Sequence, residues 1–342
     1  MIEVLVVFLG VAGMGYGLWA SSRLRSPYDT LAAMLALLGL GTAVGATLAL
    51  TIPGFFAGGL SAALEGIPAF TDWLKRKGPL TALSSLAFVF GAIVGSFLNV
   101  CIVRLPKGES IIAPPSHCPA CKTPLPFYHN VPLISYVHLR GRCRFCGTEI
   151  SPRYFVVELA TAVLAVILLR QFGFSFAFLV SFIFVAALIV ITFIDLDVRI
   201  VPDVISLPGI GLGLVASIVN RQWLMDPLSV IPSPVSSLLG IVLGGGFLLL
   251  VAWAYEFFTG TEGMGGGDVK LLAMIGAFLG WPSIPLALFF ASLIGSVVGL
   301  VLMLKKGVGG KYALPFAPFL CFGAIFHLFF GKELIRFYLP PG

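Results

Sequence analysis

Asp195 and Asp268 are the residues whose type and setting point most directly to chemistry. Asp195 is the first charged residue after the apolar run Phe174–Ile194, and it opens the stretch Asp195-Leu196-Asp197-Val198-Arg199-Ile200-Val201-Pro202-Asp203. Asp268 closes Gly265-Gly266-Gly267-Asp268, where a further apolar run begins. Two carboxylates close enough to share one proton form an acid/base pair. The ionised member takes a proton from water, and the protonated member polarises a carbonyl. At that range the two protonation steps are pushed apart and belong to the pair. Glycines ahead of Asp268 permit positive φ and close backbone approach, which suits an extended peptide lying beside the acid. Asp197 lies about 200° further round a helix than Asp195 and would face elsewhere. Asp203, after Pro202 and before the next apolar run, reads as a helix cap.

The second constellation is Cys118-Pro119-Ala120-Cys121 and Cys143-Arg144-Phe145-Cys146, with 21 residues between the pairs. Two such knuckles can set four thiolates tetrahedrally around Zn²⁺. Two disulfides are the rival, opposed by a reducing cytoplasmic setting. A redox Cys-x-x-Cys is the third alternative, and no βαβ pattern surrounds either pair. Four sulfur ligands leave no open position, so the metal's role would be structural, a staple for a domain of about 50 residues. The remaining cysteines, Cys101 and Cys321, lie inside apolar runs and read as packing residues. Glu158, just inside a membrane run, is a further candidate, with pairing to Arg153 or another nearby base as the plainer reading. Gly91, Gly95 and Ser96 could form a seam for close helix packing.

The elements that must position these groups are membrane helices. Of 342 residues, 58% are hydrophobic and 11% charged, and the mean hydropathy is +1.05. That composition excludes an ordinary soluble domain and predicts an all-α polytopic membrane protein of about 10 transmembrane helices. The net charge of +6 comes from short basic loops and carries no nucleic-acid signal. Residues 1–79 hold two extra spans, Ile2–Ala20 (a retained span, since it lacks a basic leader region) and Leu31–Ile52. They end in an interfacial segment around Trp73-Leu74-Lys75-Arg76-Lys77. Residues 80–103 make the first core helix, 104–153 the cysteine-bearing loop, and 154–342 the remaining membrane core. Loop 104–153 carries five Arg and two Lys against two acids, which places it in the cytoplasm. From there, seven runs follow at roughly 154–170, 174–194, 204–220, 235–258, 269–281, 283–304 and 313–330. Counting crossings puts the Asp195 stretch, Asp268 and the Lys305–Lys311 loop on that same side. The run at 269–281 is short for a span and would be tilted or partly re-entrant.

Several ordered motifs carry a resemblance. They begin with Gly95-Ser96-Phe97-Leu98-Asn99-Val100 and Arg104-Leu105-Pro106, then the tetracysteine loop with Asn130-Val131-Pro132-Leu133-Ile134-Ser135-Tyr136. They continue with Ile150-Ser151-Pro152-Arg153-Tyr154, Glu158-Leu159, the Asp195 stretch, Gly265–Asp268-Val269-Lys270-Leu271 and Pro315-Phe316-Ala317-Pro318-Phe319. From about Phe90 to Leu320 the chain resembles the bacterial type IV prepilin peptidases, which are leader peptidases and N-methyltransferases of pilus and type II secretion systems. The resemblance implies a Gly-x-Gly-Asp intramembrane aspartyl protease with Asp195 and Asp268 as its pair. It implies a zinc domain on Cys118, Cys121, Cys143 and Cys146, and a type IV prepilin or pseudopilin substrate cut at the cytoplasmic face of the bacterial inner membrane. It also implies methyl transfer from S-adenosylmethionine, for which Gly95 and Glu158 are the candidate residues. No Gly-x-Gly-x-x-Gly stands between a strand and a helix, so this last expectation rests on resemblance alone. Phe155, Ala317 and His117 depart from the family's usual Pro, Gly and Arg.

A proton-coupled transporter is the competing class, with the intramembrane acids as a relay. Against it, the acids sit at one membrane face, and no internal repeat marks transporter halves. A third reading is a non-catalytic scaffold that docks partners through the cysteine loop.

Overall fold

The computed structural model describes residues 82–221, 230–260, 265–306 and 314–338. The expected spans Ile2–Ala20 and Leu31–Ile52, the interfacial segment after them and most of the Lys305–Lys311 loop lie outside the described residues. The chain divides into two compact units, Met1–Pro79 with Ser296–Tyr312 and Leu80–Gly295 with Ala313–Gly342. Every candidate site residue belongs to the second.

Among the described residues the secondary structure is helical, with two isolated β-bridges. The helices are α1 (Ala82–Arg104), α2 (Ile134–His138), α3 (Arg153–Phe172), α4 (Phe176–Val198), α5 (Asp203–Val219), α6 (Pro234–Thr259), α7 (Gly266–Leu279), α8 (Ser283–Lys306) and α9 (Ala317–Tyr338). Five of them, α1, α3, α4, α6 and α8, are long and apolar enough to cross a membrane, and α5 and the Ala317–Gly331 part of α9 are shorter apolar helices. The protein is thus an all-helical, multi-pass membrane protein.

Local chemistry sets the boundaries. Ser175 caps α4 by accepting the Phe178 N–H at 3.2 Å, and Ser233 caps α6 by accepting from Ser236 at 3.2 Å. Gly173 and Gly260 end α3 and α6 at φ +66° and +68°. In lipid there is little hydrophobic force between helices, so close contact depends on small residues. The α1–α3 contact shows this: a Cβ on Gly95 would stand 2.7 Å from Glu158 Cα. On the other side of the bundle, α6 meets α7 where Gly240 and Gly276 press backbone to backbone, and Ser237 Oγ donates to Ala277 O at 2.8 Å.

Helix α4 links these groups. It packs against α1 and α3 on one side and α9 on the other, and Phe184 stacks on Phe278 of α7 at 4.6 Å. Helix α7 is only 14 residues long, and every residue from Leu271 to Leu279 is buried. At about 1.5 Å per residue it falls short of a bilayer. Its surroundings are protein, where short or interrupted membrane helices are tolerated.

Candidate active site and metal centre

Helix α4 continues past its apolar run, so Asp195 and Asp197 lie in its last turn. Arg199 then takes the left-handed conformation (φ +57°) and ends the helix, its N–H bonded to Asp195 O at 2.9 Å. Asp195 is 5% exposed, and its Oδ2 accepts the Ala317 N–H at 3.2 Å. That amide is available because Ala317 opens α9, where the first N–H groups have no helical acceptor. Asp268 stands in the first turn of α7, half-buried, its N–H directed to Gly265 O at 3.2 Å. The structure brings the two carboxylates within electrostatic reach of each other, and Arg199 acts on Asp195 from the helix end. Cys321, one turn into α9 from Ala317, is 1% exposed.

The three glycines ahead of Asp268 divide by role. A Cβ on Gly265 or Gly266 would meet no described residue within 4 Å. Gly267 differs: a Cβ there would meet Val201 Cβ at 2.9 Å. Val201 is buried in the α4–α5 connection, so this contact sets the start of α7 against the segment that leaves Asp195.

Two ion pairs brace the same junction, each two residues beyond an acid. Asp197 pairs with Arg153, the first residue of α3, with side-chain exposures of 22% and 8%. The Lys270 ammonium reaches Asp203 at 2.7 and 2.8 Å. The expected cap role of Asp203 is not what the structure shows. Pro202 holds the cap position without a side-chain bond, and Asp203, the first residue of α5, turns to Lys270 instead. Because Arg153 follows the cysteine loop directly, that loop lies at the same end of the bundle as both acids.

Within the loop, Arg104 holds the chain leaving α1 by donating to Ser110 O at 2.9 Å and Pro114 O at 2.6 Å. Each Cys-x-x-Cys forms a knuckle of the same design. Cys118 N–H bonds Thr123 O at 3.0 Å and Lys122 N–H bonds Cys118 O at 2.9 Å. Cys143 N–H bonds Thr148 O at 2.8 Å and Gly147 N–H bonds Cys143 O at 2.9 Å. The residues that turn each knuckle, Lys122 and Gly147, have φ +60° and +72°. The four Sγ atoms lie within 4.8 Å of one another, with Cys118 and Cys143 buried and Cys121 and Cys146 exposed. Burial pushes the Cys118 thiol up to about 11, while the Thr148 hydroxyl and amide draw Cys146 down to about 6. A thiolate at buried Cys118 is unfavourable without a nearby cation, and four sulfur donors this close together fit a metal ion.

Gly95 and Glu158 are brought together, as parts of one closed helix contact. Arg153 pairs with Asp197, while Glu158 is held by a backbone amide. Its Oε2 accepts the Leu133 N–H at 2.8 Å. Nearby, Asn99 Nδ2 donates to Tyr154 O at 3.0 Å. Phe155, one of the departures from the family pattern, packs at a tilt against Tyr136, ring centroids 5.5 Å apart. His117 bridges to Pro124 at the first knuckle. Sequence reasoning missed Lys270, the Arg153–Asp197 pair and the Ala317 amide. The one available signal was a base two residues after Asp268 with an unpaired acid at a neighbouring helix start.

Comparison with known proteins agrees with this architecture. The Bacterial Peptidase A24 N-terminal domain matches residues 89–172, and the Type IV leader peptidase family matches residues 182–300. The prepilin leader peptidase/N-methyltransferase of Aeromonas salmonicida is 34% identical over 280 residues, covering 75% of this chain and 93% of that protein. That of Burkholderia pseudomallei is 36% identical over 312 residues, covering 82% and 96%. That of Neisseria gonorrhoeae is 40% identical over 246 residues, covering 65% and 83%. No solved structure matches the chain. With the matched segments spanning the cysteine loop and both acid-bearing helices, the chain belongs to the type IV leader peptidase family.

Proposed function

We propose that this protein removes the leader peptide of type IV prepilins or pseudopilins with Asp195 and Asp268 as its acid pair, and methylates the new N-terminus. The observation that supports this reading is that Asp195 and Asp268, from separate helices, lie within electrostatic reach of each other, with no described residue packed on Gly265 or Gly266. An extended peptide beside Gly265 and Gly266 would present its carbonyl to the pair. One carboxylate takes a proton from the attacking water as the other donates one to the carbonyl oxygen. Collapse of the tetrahedral adduct breaks the C–N bond, and the departing nitrogen takes a proton back from the pair. The Ala317 N–H holds Asp195 in place by its bond to Oδ2. A single-span substrate with a short polar leader suits a site at the end of membrane helices. The basic cysteine loop at the same end supports an inner-membrane protein whose site faces the cytoplasm.

Zn²⁺ is the metal we assign to Cys118, Cys121, Cys143 and Cys146. It would cross-link the two knuckles and supply no chemistry at the scissile bond. S-adenosylmethionine would supply the methyl group, as the relatives' names suggest. Gly95 and Glu158 do not by themselves cradle it: α3 packs against the glycine, and the carboxylate accepts the Leu133 N–H. The transporter alternative has no support from the relatives, which are leader peptidases.

Incubation of the purified protein with a prepilin, followed by the mass of the product, tests the proposal. The leader should be lost without added cofactor, and a methyl group should be gained only when S-adenosylmethionine is present. An intact substrate under both conditions would refute it.

A further inference from the structure

We propose that α2, inside the cysteine loop, is an interfacial anchor that inserts Ile134 and Val137 into the bilayer at its headgroup boundary, with Arg140 meeting anionic headgroups. The inner side of this short helix is fully engaged. Leu133 N–H is bonded to Glu158, Tyr136 packs at a tilt on Phe155, and Tyr136 OH donates to Ile150 O at 3.3 Å. Its outer side is exposed, with Ile134 at 68% and Val137 at 64% beside the exposed His138. Three residues apart, they share one face of a helix.

The height of α2 on the bundle says what covers that face. Glu158 is five residues into α3, about 7.5 Å from its start, and it lies against Gly95 of α1. At this level α1 shows exposed Ile93 (56%) and Phe97 (49%), the surface of a helix in contact with lipid. Polar chain begins only beyond Arg104, about 13 Å further along α1 from Gly95. Leu133 is thus tied to the bundle at membrane depth, and the exposed residues that follow it lie where acyl chains meet headgroups. Arg140, exposed immediately after α2, is suited to snorkel toward phosphate. Such an anchor fixes the cysteine loop against the membrane rather than leaving it free in the cytoplasm.

The test uses the full chain in vesicles of phosphatidylethanolamine and phosphatidylglycerol, with the photo-crosslinker p-benzoylphenylalanine placed singly at Ile134, Val137 or Ile112. Ile112 is 89% exposed in the same loop and serves as the aqueous control. Irradiation should give lipid adducts at 134 and 137, several-fold above those at 112. Yields at 134 and 137 no higher than at 112 would overturn the anchor, as would adducts to a second copy or to added prepilin in place of lipid. Replacing phosphatidylglycerol by phosphatidylcholine should lower the yield in the wild-type background and leave it unchanged in Arg140→Gln. Equal sensitivity in both would overturn the headgroup contact.

Discussion

Lys270 closes a two-pronged ion pair on Asp203, two residues after Asp268 and eight residues after Asp195. It ties the start of α7 to the start of α5, and so governs how the two acids approach each other. The pair is partly exposed, at 37% and 54%, so its share of global stability is about 0–1 kcal/mol. Lys270→Ala should therefore melt close to wild type yet lower kcat for leader removal about 10-fold or more, since small displacements of reacting groups are costly. The exchanged pair Lys270→Asp with Asp203→Lys should recover part of that loss. Single variants with full activity would show that the pair does not position Asp268.

Breaking the Arg153–Asp197 pair is expected to act on stability. Arg153 is 8% exposed, and loss of one partner from a buried pair costs on the order of 3 kcal/mol. Asp197→Asn should lower the unfolding midpoint in detergent while the folded fraction still cleaves. Unchanged thermal stability would contradict this.

Contact at Gly267 gives a non-additive prediction. Gly267→Ala puts a methyl 2.9 Å from Val201 Cβ and should slow cleavage about 10- to 100-fold by shifting Asp268. Val201→Gly removes that Cβ, so the double variant should be faster than Gly267→Ala alone. Additive losses would mean that the glycine serves the substrate and not the packing.

For the cysteine centre, metal analysis of reduced, fresh protein should find one zinc per chain, lowered in Cys118→Ser and Cys143→Ser. Chelation should destabilise the loop, with slower loss of cleavage than removal of either acid causes. No zinc in such a preparation would dismiss the assignment.

Much of this arrangement was legible in the sequence because lipid imposes a simple rule: long apolar runs become helices. The run expected at 204–220 is Asp203–Val219, and that expected at 235–258 is Pro234–Thr259. The paired Cys-x-x-Cys spacing likewise predicted a four-thiol cluster, since each knuckle is closed by bonds local to its own sequence. What depends on tertiary approach was not legible. Asp203 looked like a cap because it precedes an apolar run, yet its partner is 67 residues away on α7. Asp197 was placed away from Asp195 by helical geometry, but nothing local named Arg153 as its partner. Gly267 read as flexible and substrate-facing, yet it is held by Val201, which only the folded chain brings near, whereas Gly95 lies in a close helix contact of the kind that its small-residue spacing suggests.

The most direct measurement is leader cleavage by Asp195→Asn and Asp268→Asn, each checked for unchanged zinc content and thermal unfolding. Both should be folded and inactive, while folded Asp197→Asn retains activity. Wild-type turnover by Asp195→Asn, beside a folded but inactive Asp197→Asn, would contradict the assignment and move the catalytic role two residues along α4.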